Sequence, residues 1–88
     1  MTTFLMNDNG RPALNQFVIV DGDEIKFKSY NTIICIIRKG LVRLNIKMWD
    51  HSRTTLKHLY IFLRQNGAKV YRKEDVLLCL LNGTFEFF

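Results

Sequence analysis

The sequence predicts an α+β domain: an antiparallel sheet of about four to five strands with two helices packed on one face, in the order β-β-β-β-α-α-β. Three observations carry this. Residues 17–48 hold short apolar or alternating runs separated by turn residues, as paired strands do. Beyond His51 the apolar spacing becomes helical and is interrupted once, at Gly67. The connections between the strand-like runs are short, which favours antiparallel neighbours with the helices gathered on one side.

Residues 1–16 are mixed, and Asn7-Asp8-Asn9-Gly10-Arg11-Pro12 is turn-forming. Phe17–Val20 reads as the first strand, and Asp21-Gly22-Asp23-Glu24 as a polar turn open to more than one hairpin geometry. Ile25–Tyr30 alternates, so Lys26 and Lys28 point away from Ile25 and Phe27. Ile33–Ile37 is β-branched and apolar on both faces, which places it at the centre of the sheet. Leu41–Met48 alternates most cleanly. Val42, Leu44, Ile46 and Met48 are expected in the core, with Arg43, Asn45 and Lys47 facing outward.

Asp50 or Ser52 caps a first helix that ends at Asn66-Gly67. Leu56, Leu59, Tyr60 and Leu63 form its core side, Arg53, Lys57 and Arg64 an adjacent basic stripe, and Ile61 the far side. Ala68–Tyr71 is a connector. Glu74 or Asp75 opens a second helix through Leu81, placing negative charge at its positive pole. Thr84–Phe88 is a final strand, or a tail tucked into the core.

With 88 residues there is room for one domain and a thin core. No apolar run approaches the roughly 20 residues of a membrane helix, and the N-terminus lacks the basic start of a signal peptide. Cys35 and Cys79 lie far apart within apolar segments, as free thiols of a reducing compartment do. The expectation is a cytoplasmic protein of a bacterial host cell with no membrane contact. The net charge of +5 permits nucleic acid or an acidic protein as partner and excludes an acidic mimic of DNA.

Ser29, Tyr30 and Thr32 form an S-Y-x-T element. Trp49, Asp50, Ser52, Thr54 and Thr55 form W-D-x-S-x-T-T, and Phe62-Leu63 follows. In this pattern the chain resembles a family of small proteins of unknown function found on phages and plasmids of low-GC bacteria. His51 stands where that pattern favours Tyr. The resemblance covers about 40 of the 88 residues, leaving out the N-terminal 25 and the C-terminal 20. It implies a mobile-element origin and transfers no activity.

The residues offer little chemistry. Hydroxyls and Arg53 at the first helix start suit a phosphate, but Asp50, Ser52, Thr54 and Thr55 are also what a helix start needs. Asp50, His51 and Ser52 are adjacent, and a catalytic triad needs groups that face one another. Cys35 lies in the most apolar strand, where burial suppresses thiolate formation. His51 and His58 stand about 10 Å apart along a helix, too far for one metal ion. The five glycines are isolated, so no phosphate loop is present. No enzyme activity, cofactor or metal is expected.

Lys26 and Lys28 share one strand face, and Arg43 and Lys47 share another. If both project from one sheet face they make a basic patch, joined by Tyr30, that suits phosphates or an acidic protein. The alternative is that these cations only solvate the outer surface. Phe85, Phe87 and Phe88 near the C-terminal end suggest an edge strand or pairing with another subunit, a homodimer, to which Ile61 would add. The function expected first is a non-enzymatic binding protein that recognises a host protein, inhibiting for example a defence nuclease in the manner of anti-CRISPR proteins. The second is a small nucleic-acid-binding accessory.

Overall fold

Three two-residue turns, Gly22-Asp23, Tyr30-Asn31 and Lys39-Gly40, fold residues 12–44 into a continuous meander. Gly22 and Gly40 hold positive φ (+63° and +78°), the twist a tight hairpin needs. Tyr30 and Lys39 take the same left-handed backbone despite their side chains.

The computed structural model describes residues 1–88. The strands are β1 (Thr2–Met6), β2 (Pro12–Asp21), β3 (Glu24–Ser29), β4 (Thr32–Arg38), β5 (Leu41–Leu44) and β6 (Phe85–Phe87). The helices α1 (Arg53–Gln65) and α2 (Lys73–Leu81) lie between β5 and β6 in sequence. The six strands lie side by side in chain order. All neighbours are antiparallel except β5 and β6, which run parallel because two helices intervene between them.

The α+β class and the two helices agree with the sequence reading; the strand count is higher and the sheet is mixed. β1 was not foreseen. It is a short edge strand with only Leu5 in the core, so it carries little of the apolar signal that marks a strand. The strand expected at Phe17 begins five residues earlier, at Pro12, to pair with it.

The core fills the helix-facing side of the sheet. Phe27 stacks on Phe62 of α1 with ring centroids 5.6 Å apart. Cys35 and Leu44 extend its cross-strand row, and Val18 opposes it on β2. A bulge in β4 leaves Ile34 without a partner on β3, so Ile34 and Cys35 are both fully buried although adjacent. The apolar character of Ile33–Ile37 on both faces therefore has another cause than burial at the centre of a covered sheet. Ile33 and Ile36 face outward and are half-buried.

The strand expected to reach Met48 stops at Leu44, and Asn45 stops it. Its backbone N–H still donates to the Ile34 carbonyl (2.8 Å), while its side-chain Nδ2 donates to the Ile33 carbonyl (3.0 Å). Its Oδ1 accepts the Lys47 N–H (3.0 Å) and its carbonyl accepts the Trp49 N–H (2.9 Å). These bonds replace a ladder with a tight turn. Ile46, expected in the core, is exposed, Met48 is half-buried, and Lys47 leaves the sheet face. Trp49, freed from the strand, enters the core.

Ser52, not Asp50, caps α1: its Oγ accepts the Thr55 N–H at 3.1 Å. Asp75 organises the start of α2 by accepting the Tyr71 and Arg72 N–H groups (2.9 and 3.3 Å). Ile61, expected away from the core, is 3 % exposed. The β1–β2 loop reaches over α1 to cover that side: Arg64 pairs with Asp8 (3.2 Å) and Gln65 donates to the Met6 carbonyl (2.8 Å).

Replacing Asn45 by Ala takes away the side-chain partners of the part-buried Ile33 carbonyl and of the exposed Lys47 N–H. Urea unfolding should show a loss of about 1–3 kcal/mol. Phe27→Ala, which empties the ring stack, should cost more, about 3–5 kcal/mol.

Candidate docking surface on the open sheet face

Cross-strand register aligns the outward side chains in rows. One row runs Phe4, Phe17, Lys28 and Ile33. The next runs Ile19, Lys26, Ile36, Arg43 and Glu86. Both helices pack on the opposite face, so this one is open. Phe4 and Phe17 stack at 5.5 Å, and Lys28 Nζ sits 5.9 Å from the Phe17 ring centroid. The face is thus an aliphatic and aromatic surface studded with charge.

The expected convergence of Lys26, Lys28 and Arg43 on one face is present, but their charges are not equally available. Lys26 meets Glu24 (3.5 Å) and Asp21 (4.0 Å), and Arg38 pairs with Asp23 (3.1 Å). Lys28 and Arg43 make no ion pair, and Glu86 stands beside Arg43 in register. Lys47 belongs to the turn after β5 and is not part of the face. Tyr30 sits at the tip of the β3–β4 hairpin, exposed.

The helical basic stripe disperses. Arg64 is held by Asp8, donates to the Val70 carbonyl (2.8 Å) and stacks on Tyr71 (4.9 Å). Lys57 flanks a shallow polar recess with Asn7, Asp8 and Asn9, and Arg53 opens α1 into solvent.

The two motif segments meet inside the fold. Ser29 Oγ lies 3.3 Å from Thr55 Oγ1, and Ser52 Oγ donates to the same hydroxyl (3.1 Å). This chain of hydroxyls ties β3 to the start of α1. Thr32 opposes Ser29 across the hairpin. Asp50 pairs with Lys73 (3.2 Å), whose ammonium lies 5.7 Å from the Trp49 ring, binding the start of α2 to the same segment. The Thr54 carbonyl accepts the His58 Nδ1–H (2.7 Å). Ser52 already holds the Thr55 N–H, one of the donors that an anion at this helix start would use. Sequence reasoning missed Gln16. It is fully buried opposite Ser29, and its amide makes no hydrogen bond within the chain.

Cys35 is fully buried and Cys79 half-buried, and neither forms a disulfide. Burial pushes the Cys35 thiol well above its ordinary range. Burial and then the Asp75 charge raise Cys79. The native state therefore keeps protons that unfolded thiols release near about pH 8.5. The stability linked to Cys35 is fully present below that pH and is lost as pH rises through it, by about 1.4 kcal/mol per pH unit. Urea midpoints should fall on the alkaline side, and Cys35→Ala should flatten the fall. Ellman's reagent on the native chain should modify Cys79 first, with Cys35 reacting only on unfolding.

No curated protein and no solved structure has significant similarity to the chain. A family model does match, over residues 3–77, and its description is a family of unknown function, DUF8033. The match takes in β1, β2 and the first part of β3, which the S-Y-x-T and W-D-x-S-x-T-T resemblance left out, and ends within α2. A match over most of the chain settles membership: the protein belongs to the DUF8033 family of unknown function.

Proposed function

We propose that the chain is a small non-enzymatic binding protein whose working surface is the open sheet face, and that its partner is a protein. The observation that carries this reading is the uncovered apolar side chains of two adjacent rows, Phe4, Phe17 and Ile33 in one and Ile19 and Ile36 in the next, with the unpaired Lys28 and Arg43 set among them. An apolar patch punctuated by charge is the ordinary form of a protein interface. A phosphate-tracking surface needs a line of uncompensated cations, whereas Lys26 and Arg38 are here neutralised by carboxylates. The resemblance to phage and plasmid proteins supports a host protein as the target class, such as a defence nuclease that the chain would inhibit.

A second apolar surface supports self-association. Leu77, Leu78 and Leu81 are exposed along α2, and Phe87 is exposed on the edge strand β6. Sedimentation velocity over a concentration series should show a dimer that Leu78→Glu with Leu81→Glu disperses.

The test of the main reading is affinity capture from bacterial lysate beside a DNA-binding titration. The intact chain should retain a partner stoichiometrically and saturably, and Ile19→Glu or Ile33→Glu should lose it while remaining folded. Salt-sensitive binding to duplex or single-stranded DNA that is abolished by Lys28→Ala with Arg43→Ala would overturn it in favour of nucleic acid.

A further inference from the structure

At the β4–β5 end of the open face the surface deepens into a cleft of about 320 Å³. Ile36, Leu41 and Phe88 supply its apolar lining, and Arg38, Lys39, Arg43 and Glu24 surround them. Phe88 is fixed there by backbone bonds: its N–H donates to the Leu44 carbonyl (2.9 Å), and its carbonyl accepts the Ile46 N–H (3.2 Å). Lys39 is fixed by the left-handed turn it shares with Gly40. The volume lies within the ~300–1,000 Å³ of small-molecule sites.

The charges around this cleft do not cancel. Glu24 is neutralised by Lys26 (3.5 Å), and Asp23 takes the charge of Arg38 (3.1 Å). Lys39 and Arg43 make no ion pair, although Glu86 neighbours Arg43 in register on β6. Two unpaired cations beside an apolar wall attract an anion, since the wall excludes water and reduces screening. The same wall offers nothing to a small inorganic anion and rewards an apolar body attached to the charge.

We infer that this cleft is a binding site for a small amphipathic carboxylate: one anionic head held by Arg43 and Lys39, and an aliphatic or aromatic body lying on Ile36, Leu41 and Phe88. The inference goes beyond protein docking and does not depend on it: the cleft shares Ile36 and Arg43 with the docking face, but Lys39, Leu41 and Phe88 belong to the cleft alone.

The experiment is an NMR titration of the full chain with sodium octanoate, and with 1-octanol as the uncharged probe of the same length. Octanoate should shift the Ile36, Leu41 and Phe88 resonances saturably and bind several-fold tighter than octanol. Arg43→Gln should weaken octanoate by about fivefold, the scale of one partly exposed ion pair, and leave octanol unchanged. Leu41→Glu should weaken both. The inference fails if octanoate gives no saturable shift, if the shifts fall elsewhere, or if octanol binds as well as octanoate. These probes do not involve Ile19 or Ile33, so failure here and failure of the docking reading are separate results.

Discussion

The architecture turns on Asn45. Five strands pair in sequence before it, and the chain must then leave the sheet, cross one face and return. Asn45 makes the last ladder bond with Ile34 and also uses its side chain to bond the Ile33 carbonyl and the Lys47 N–H. An amide side chain can donate and accept at once, and both capacities are used here. The resulting turn delivers Trp49 to the core and points α1 across the strands. It also exposes the Ile46 N–H, which donates to the Phe88 carbonyl and holds the returning chain against β5. The parallel pairing of β5 and β6 and the wall of the β4–β5 cleft both follow from that exit.

The second constraint is that the helices cover a single face. Phe27, Cys35, Val42 and Leu44 are buried under α1 and α2, while the residues between them on each strand look outward. An all-polar outward set would solvate such a face. Here Phe17, Ile19, Ile33 and Ile36 are half-buried among charges of which Lys26 and Arg38 are paired with carboxylates while Lys28 and Arg43 are not. This mixture supports docking on a protein more than tracking of a phosphate backbone. The motif residues serve a different end. Ser29, Ser52 and Thr55 join β3 to α1 through hydroxyls, and Asp50 with Lys73 joins the start of α2 to the turn before α1. A pattern legible as a possible anion site is, in the fold, the seam between sheet and helices.

Much of this was legible from the residues. The turn at Gly22, the alternation of β3 and the capped start of α1 are local properties, and they appear where expected. The convergence of Lys26, Lys28 and Arg43 on one face follows from strand period and register alone. β1 escaped because an edge strand with one core residue has almost no apolar pattern. Lys47 was misplaced because alternation continues through Met48 while the backbone turns at Asn45. Ile61 was misplaced because helical spacing identifies a core-facing side but cannot foresee a loop from residues 7–11 closing over the other side.

The sequence by itself determined the α+β class, the limits of both helices and the outward direction of Lys26, Lys28 and Arg43, because propensity, period and turn chemistry act between near neighbours. Tertiary structure alone decided that Arg38 and Arg64 are not free, since they find carboxylates only after the strands pair and the β1–β2 loop folds onto α1. It also decided that Ser29 and Thr55 meet, and that Phe88 closes a cleft with Ile36 and Leu41. Those contacts join residues far apart in the chain, and no local pattern records the closure of the loops that bring them together.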